Sequence, residues 1–280
     1  MEKMLIVDGM NLLFQMFYGM PERIVAKDGR PIHGTVGFIG ALLKIMRMVK
    51  PGYVLVAFDG ETHNPRKDMD ENYKANRPDY SQMEEQDIPF SQLPDIYKAL
   101  DHLGICHSET ADCEADDWIA GYVRRWGKDY HITVASYDSD FFQLIGESVE
   151  ILRYRGDCSV RCDAAWLWNK YGIRPDQYAA FKSLTGDTAD NIRGVDKVGP
   201  KTAAWLLQTY DTLEGIMANA ASISKPAIRQ SVTESIDRLH KNMELIRLGG
   251  CCCLPFAPEE LAWTYKGQTT AQVLRESGIY

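Results

Sequence analysis

The chain has 280 residues, 45% of them apolar and 25% charged, with a net charge of −8. That composition suits an ordinary globular protein built as one large domain, or as a domain with a helical appendage. No apolar run of 18 or more residues is present, and Met1-Glu2-Lys3 leads straight into Met4-Leu5-Ile6-Val7, so neither a membrane span nor a secretion signal is expected and the reading is cytoplasmic.

In chain order, Met4-Leu5-Ile6-Val7 predicts a short buried strand that ends in Asp8-Gly9 and turns into a helix through Asn11-Leu12-Leu13-Phe14. Gly/Pro punctuation marks a loop over 19–34. Val36, Ile39, Leu42, Leu43 and Met46 recur at helical spacing, Pro51-Gly52 stops that helix, and Tyr53-Val54-Leu55-Val56-Ala57-Phe58 is a second strand ending in Asp59-Gly60. The stretch 61–89 is charged and poor in aliphatics, so it is expected to project from the core as a loop or arch. Helix 91–103, strand 104–107, helix 114–126, strand 131–135, helix 139–145 and strand 149–154 then alternate as in a parallel α/β sheet. A hairpin is expected through Gly156-Asp157, and 164–248 reads as almost wholly helical, with no repeat of solenoid length. The expected organisation is an α/β core over 1–163 carrying an arch over 61–90, a helical module over 164–250, and a segment 251–280 without an interpretable motif.

Seven cysteines, including the run Cys251-Cys252-Cys253, form no disulfide framework and read as free thiols; Cys158 and Cys162 match no standard zinc spacing. The carboxylates are more informative. Parallel sheets present functional groups at the carboxyl ends of their strands, and Asp8, Asp59 and Asp138 each fall at or just after such an end. One aspartate there is usually a turn or cap residue; three in the same topological position point to a shared site. Glu114-Ala115-Asp116-Asp117 adds three acids to one helical turn, where dipole attraction gives about 0.3–1 kcal/mol per charge. Two carboxylates about 4 Å apart repel by roughly 4 kcal/mol at an effective dielectric of 20, so convergence of these acids requires a cation. Asp138-Ser139-Asp140 and Asp187-Thr188-Ala189-Asp190 supply further pairs, and none of the six histidines lies in these motifs. All-oxygen ligands select Mg²⁺ or Mn²⁺ over zinc, and two such ions suit hydrolysis of a phosphodiester. An acidic total argues superficially against a nucleic-acid partner. Setting aside the nine nominated acids moves the net charge from −8 to +1, so bound cations would erase that objection.

Taken in order, Leu5-Ile6-Val7-Asp8-Gly9, Ala57-Phe58-Asp59, Tyr73-Lys74-Ala75-Asn76-Arg77, Glu114-Ala115-Asp116-Asp117, and Leu184-Thr185-Gly186-Asp187 through Asn191-Ile192-Arg193-Gly194-Val195 resemble the 5′-nuclease domain of bacterial DNA polymerase I and the stand-alone flap endonucleases related to it. The likeness covers roughly the first 250 residues. It implies a PIN-like core, a first metal held by Asp8, Asp59, Glu114, Asp116 and Asp117, and a second held by Asp138, Asp140, Asp187 and Asp190. Keeping all four acids of the second set favours a competent enzyme. The resemblance also makes 61–90 a helical arch admitting a free 5′ end, with Lys74 and Arg77 facing the scissile phosphate and Tyr73 stacking on a base. Lys197, Gly199, Lys201 and Thr202, around a helix start at Pro200, resemble the family's helix-turn-helix clamp, which grips phosphates without reading sequence. A potassium ion would sit there on the main-chain carbonyls of Leu184, Thr185, Arg193, Val195 and Val198. The implied activity is 5′-3′ exonuclease and 5′-flap endonuclease on DNA, by a monomer with no polymerase domain following, and an RNA/DNA hybrid is a second candidate substrate. The rival readings are a PIN-type ribonuclease, which usually lacks arch and clamp, and a non-catalytic branched-DNA binder.

Overall fold

The computed structural model describes residues 1–60, 65–250 and 253–280. Its first strand, β1 (Glu2–Asp8), buries Met4, Leu5, Ile6 and Val7 completely. Burial on both faces is what a central parallel strand requires, and each such side chain contributes about 1.5–3 kcal/mol. Helix α1 (Gly9–Gly19) follows with no linker, its N-terminus capped by the Asp8 carboxylate, which accepts from the Asn11 N–H at 3.0 Å. Gly9 permits this tight start, because a Cβ there would lie 2.5 Å from the Phe58 ring. Next come α2 (His33–Val49), β2 (Tyr53–Phe58), the five-residue α3 (Pro65–Met69), α4 (Leu93–Leu103), β3 (Cys106–Glu109), α5 (Ala115–Trp126), β4 (Tyr130–Ala135), β5 (Val149–Arg153) and β6 (Val160–Cys162).

The sheet order is β3-β2-β1-β4-β5-β6, parallel except for the β5–β6 hairpin. The chain winds outward from β1 to β3 and then crosses back to β4, so a crevice opens at the carboxyl ends of β1 and β4. Met4 and Ile6 face one hydrophobic layer, with Ile119 and Tyr122 of α5; Leu5 and Val7 face the other, with α2 and α4. The helical module comprises α6 (Ala164–Tyr171), α7 (Tyr178–Thr185), a tiny hairpin of β7 (Gly186–Asp187) and β8 (Ile192–Arg193), α8 (Pro200–Tyr210), α9 (Leu213–Ala218), α10 (Pro226–Thr233) and α11 (Ile236–Ile246). Its Leu184, Leu206 and Leu207 join the first layer.

Three expectations change. Residues 65–90 form no single helical arch: α3 gives way to turns and to 3-10 segments at Tyr80–Gln82, Glu85–Asp87 and Pro89–Gln92. The Asn72 N–H bonding the Asp70 carboxylate, and prolines at 78 and 89, interrupt helical hydrogen bonding. Edge-to-face contacts among Phe14, Tyr80 and Phe90 then draw the segment onto α1; residues 61–64 lie outside the described residues. The helix expected over 139–145 is a 3-10 segment, Asp140–Leu144. The C-terminal stretch, uninformative as sequence, is a strap. The Tyr122 hydroxyl donates to the Phe256 carbonyl, Trp263 bonds the carbonyls of Gly52 and Leu103, and α12 (Thr270–Glu276) buries Val273 and Leu274 against α2 and α4. Of the cysteine run, Cys251 and Cys252 lie outside the described residues, and Cys253 is exposed.

Candidate metal centre

Two adjoining clefts open at the carboxyl end of the sheet. The first, about 620 Å³, is lined by Asp8, Asp59, Asp116 and Asp138, with Lys74 and Arg77 above them and an apolar wall of Met10, Phe14, Tyr80 and Phe90. The second, about 280 Å³, is lined by Asp138, Asp187 and Asp190 with Lys182 and Arg77. Asp138, Asn11 and Arg77 line both, so Asp138 stands on the boundary between two acidic groups.

In the first cleft the carboxylates are held by neutral donors. Asp8 accepts from the Ser136 hydroxyl at 2.8 Å as well as from Asn11. Asp59 accepts from the Ala115 N–H, 2.7 Å, at the start of α5. The Asp116 carboxylate makes no hydrogen bond or ion pair among the described residues. Burial raises the Asp8 carboxyl to about 7, helped by Asp59 and Asp138 and opposed by its hydrogen bonds. Burial, with Asp138, Asp8 and Asp59 close by, pushes Asp116 well above the usual carboxylate range, and burial also raises Asp59. These groups resist ionising together unless a cation is supplied.

Asp140, Asp187 and Asp190 each bring a carboxylate oxygen within 4.8 Å of the others. Here the protein supplies its own cations. Lys182 pairs with Asp187 and lies 3.2 Å from Asp140, and Arg77 pairs with Asp190 at 3.2 Å. Burial nevertheless raises Asp140 to about 7, with Asp138, Asp187 and Asp190 adding repulsion against the pull of Lys182, and one of its buried oxygens has no hydrogen bond among the described residues. Although burial opposes it, Asp140 and Asp187 hold the Lys182 ammonium above its ordinary range. The loop bearing Asp187 and Asp190 is pinned by glycines: Gly186 has φ +81°, and a Cβ on Gly194 would lie 2.3 Å from the Thr185 carbonyl carbon.

Glu114 and Asp117 stand apart from both clefts. Glu114 receives Lys74, Arg66 at 2.7 Å and the Tyr73 hydroxyl at 3.2 Å. Asp117 forms a two-pronged pair with the buried Arg66, 2.7 and 2.9 Å, and accepts from the Gly249 N–H. Arg66 also donates to the Leu245 carbonyl at 2.9 Å, so this guanidinium ties the base of the arch to α5 and to the end of the helical module. Lys74 has φ 57°, a left-handed conformation costing a lysine about 1–2 kcal/mol, and its N–H donates to the Asp190 carbonyl. The expectation that Tyr73 stacks on a base is corrected: its ring is 4% exposed and its hydroxyl is turned to Glu114 and Asp190. Sequence reasoning missed Lys182 and Arg66. Lys182 could have been noticed as the one charge among the buried Tyr178, Ala179, Ala180, Phe181, Ser183 and Leu184 of α7.

At the start of α8, Lys197, Gly199 and Lys201 are exposed and Thr202 is partly so, with no side-chain cap on the helix. Of the carbonyls nominated for potassium, that of Leu184 accepts from Val195, that of Val195 from Val198, and that of Arg193 from the Asn242 amide.

The sequence matches two family models, the 5′-3′ exonuclease N-terminal resolvase-like domain over residues 3–172 and the 5′-3′ exonuclease C-terminal SAM fold over residues 173–269. The chain belongs to the 5′-3′ exonuclease family. It is 33% identical over 247 residues to the thermostable DNA polymerase I of Thermus aquaticus, an alignment covering 88% of this chain and 28% of the polymerase. DNA polymerase I of Rhizobium leguminosarum is 32% identical over 257 residues, with 88% and 24% covered. The chain thus spans about a quarter of the length of these relatives. Among solved structures, the T5 5′-exonuclease with bound zinc ions superposes with a TM-score of 0.74 at 22% identity, covering 88% of this chain and 90% of that one. The catalytic core of Rad2 in complex with DNA substrate gives 0.60 at 14% identity, with 99% and 93% covered. These two likenesses concern the fold: a mostly parallel sheet with a SAM-like helical module.

Proposed function

We propose that the chain is a divalent-metal-dependent nuclease that hydrolyses phosphodiester bonds of DNA carrying a free 5′ end or 5′ flap. The observation that carries this reading is the trench of buried, charge-poor carboxylates in the first cleft, joined through Asp138 to a second acidic cluster. All donors are oxygens, a set that fits Mg²⁺ or Mn²⁺. Asp8, Asp59, Asp116 and Asp138 would hold one ion, with Glu114 acting at one remove through Lys74 and Arg66; Asp138, Asp140, Asp187 and Asp190 would hold the other. Such a pair, when bound, makes water nucleophilic and offsets charge on the phosphoryl group.

The protein's own residues then have distinct tasks. Lys74 and Arg77 overhang the first cleft and neutralise phosphate oxygens entering it. The wall of Phe14, Tyr80 and Phe90 keeps one side of that cleft apolar, which lowers the local dielectric and strengthens those charges. The Gly199 and Lys201 N–H groups, which make no hydrogen bond among the described residues, suit duplex phosphates together with the Lys197 and Lys201 side chains and imply no sequence preference. A potassium ion on the carbonyls of Leu184, Thr185, Arg193, Val195 and Val198 belongs to the same proposal, since a carbonyl that already accepts one hydrogen bond keeps a second lone pair.

The test is cleavage of end-labelled 5′-flap DNA by the purified chain in Mg²⁺ or Mn²⁺, beside the same flap made of RNA. Cleavage near the junction leaving 5′-phosphate and 3′-hydroxyl ends is expected. Flap binding without cleavage in either ion overturns the catalytic reading, and a clear preference for RNA overturns the substrate.

A further inference from the structure

We propose that Asn76 and Asn191 form a clasp that couples loading of the second acidic cluster to the placement of Lys74. The coupling rests on the reading of Asp187 and Asp190 as metal ligands. Three hydrogen bonds join residues 70–77, at the base of the arch, to the loop 187–191. The Asn76 amide donates to the Thr188 carbonyl at 2.8 Å, the Asn191 amide donates to the Asn72 carbonyl at 2.9 Å, and the Lys74 N–H donates to the Asp190 carbonyl at 3.0 Å.

What separates these bonds from others across the same gap is their acceptor. Tyr73 and Arg77 reach the Asp190 carboxylate itself, and an ion bound to that carboxylate competes with them. The asparagines bind main-chain carbonyls, so their bonds persist whether or not the carboxylates are occupied. The clasp therefore transmits the state of the loop to the arch base without being displaced by it.

Backbone geometry says what is transmitted. Asn191 has φ 58° and Lys74 has φ 57°. Asparagine adopts this left-handed conformation readily, whereas lysine holds it only where its surroundings over-determine it. The two asparagine bonds flank Lys74 on both sides, its own N–H makes the third, and together they fix it with its ammonium on Glu114. An ion that orders Asp187 and Asp190 thereby orders Lys74, and by reciprocity an ordered arch base raises the affinity of the loop for the ion.

The experiment uses the full chain, with Mn²⁺ alone as probe. Amide hydrogen exchange of the peptide spanning 70–77 is followed with and without Mn²⁺, and Mn²⁺ binding is titrated calorimetrically, for the unsubstituted protein, Asn76→Ala and Asn191→Gly. Glycine keeps the left-handed conformation at 191 while deleting the amide, so the loop is expected to retain its shape. Mn²⁺ should slow exchange over 70–77 in the unsubstituted protein. Each substitution should weaken Mn²⁺ binding by about two- to tenfold, as for one hydrogen bond, and remove most of that protection; the pair together should do less than the product of the two. A chain that binds no Mn²⁺ overturns the metal reading and the coupling with it. Mn²⁺ binding that leaves exchange over 70–77 unchanged, or protection that survives both substitutions, overturns the coupling alone.

Discussion

The two acidic clusters differ in who supplies the positive charge. Around Asp8, Asp59 and Asp116 the direct partners among the described residues are neutral, namely a hydroxyl and two backbone N–H groups, with none there for the Asp116 carboxylate. Around Asp140, Asp187 and Asp190 the protein brings Lys182 and Arg77 into contact. A cation entering the first cluster relieves repulsion at once; one entering the second must displace a lysine that the acids already hold. The first site should therefore fill at lower metal concentration, and the second should depend on what moves Lys182, for which a phosphate of the substrate is a suitable competitor.

The sharpest way to break this comparison is Asp116→Asn. Removing a carboxylate from the cluster whose direct partners are neutral should forfeit several kcal/mol of transition-state stabilisation, a loss on the order of a thousandfold in rate under saturating Mg²⁺; steady-state flap cleavage checks it, and activity within tenfold of the parent removes Asp116 from the centre. Lys182→Met probes the other side. Deleting one partner of a buried ion pair costs about 3–5 kcal/mol, so melting temperature without metal should fall, while Mn²⁺ should restore it and bind the second site more tightly; an unchanged second-site affinity would show that Lys182 is no competitor.

Asp8 and Asp140 yield a pH test. Each has a folded pKa near 7 against an ordinary value of 3.8, so between those values the folded state binds more protons than the unfolded one and stability falls as pH rises. Metal-free protein should lose melting temperature from about pH 4 to 7, and the gain on adding Mg²⁺ should be larger at pH 8 than at pH 5; equal gains at both would mean the acids are not its ligands. The smallest effect is expected of Tyr73→Phe, which removes one hydroxyl shared by Glu114 and Asp190 and should lower stability by about 1 kcal/mol in chemical denaturation. A tenfold loss of DNA affinity instead would place the Tyr73 hydroxyl on the substrate, since phenylalanine keeps the ring.

Much of the centre was legible because strand ends are legible. Asp8, Asp59 and Asp138 follow apolar runs closed by turn signals, and in a parallel sheet such positions converge whatever else the chain does. The pairs Asp138/Asp140 and Asp187/Asp190 stood out by their spacing, but helix capping explains such pairs as well, and only the family resemblance joined them into one set. What could not be read depends on contacts distant in sequence. Arg66 sits in a polar stretch where a solvated face is the ordinary expectation, and only the fold turns it against Asp117, 51 residues away. Tyr73 looked like a stacking residue because its burial comes from Ala179, Ile192, Leu245 and Ile246, far along the chain, and the projecting arch was an inference from polarity that the aromatic cluster of Phe14, Tyr80 and Phe90 overrides. The strap over 253–280 uses scattered apolar residues and main-chain bonds, which leave no periodic trace.

That strap alters how the helical module is mounted. The module leaves the sheet after β6, which forms one edge, and the returning chain is stitched to the opposite side, at Gly52 ahead of β2 and at Cys106 of β3, whose thiol donates to the Glu260 carbonyl. A duplex gripped at α8 would therefore pull on two attachments on opposite flanks of one rigid sheet. Torque from the bound polymer would be spread across the strands instead of bending a single hinge, and the distance between the grip and the acidic trench would hold while the substrate is drawn through.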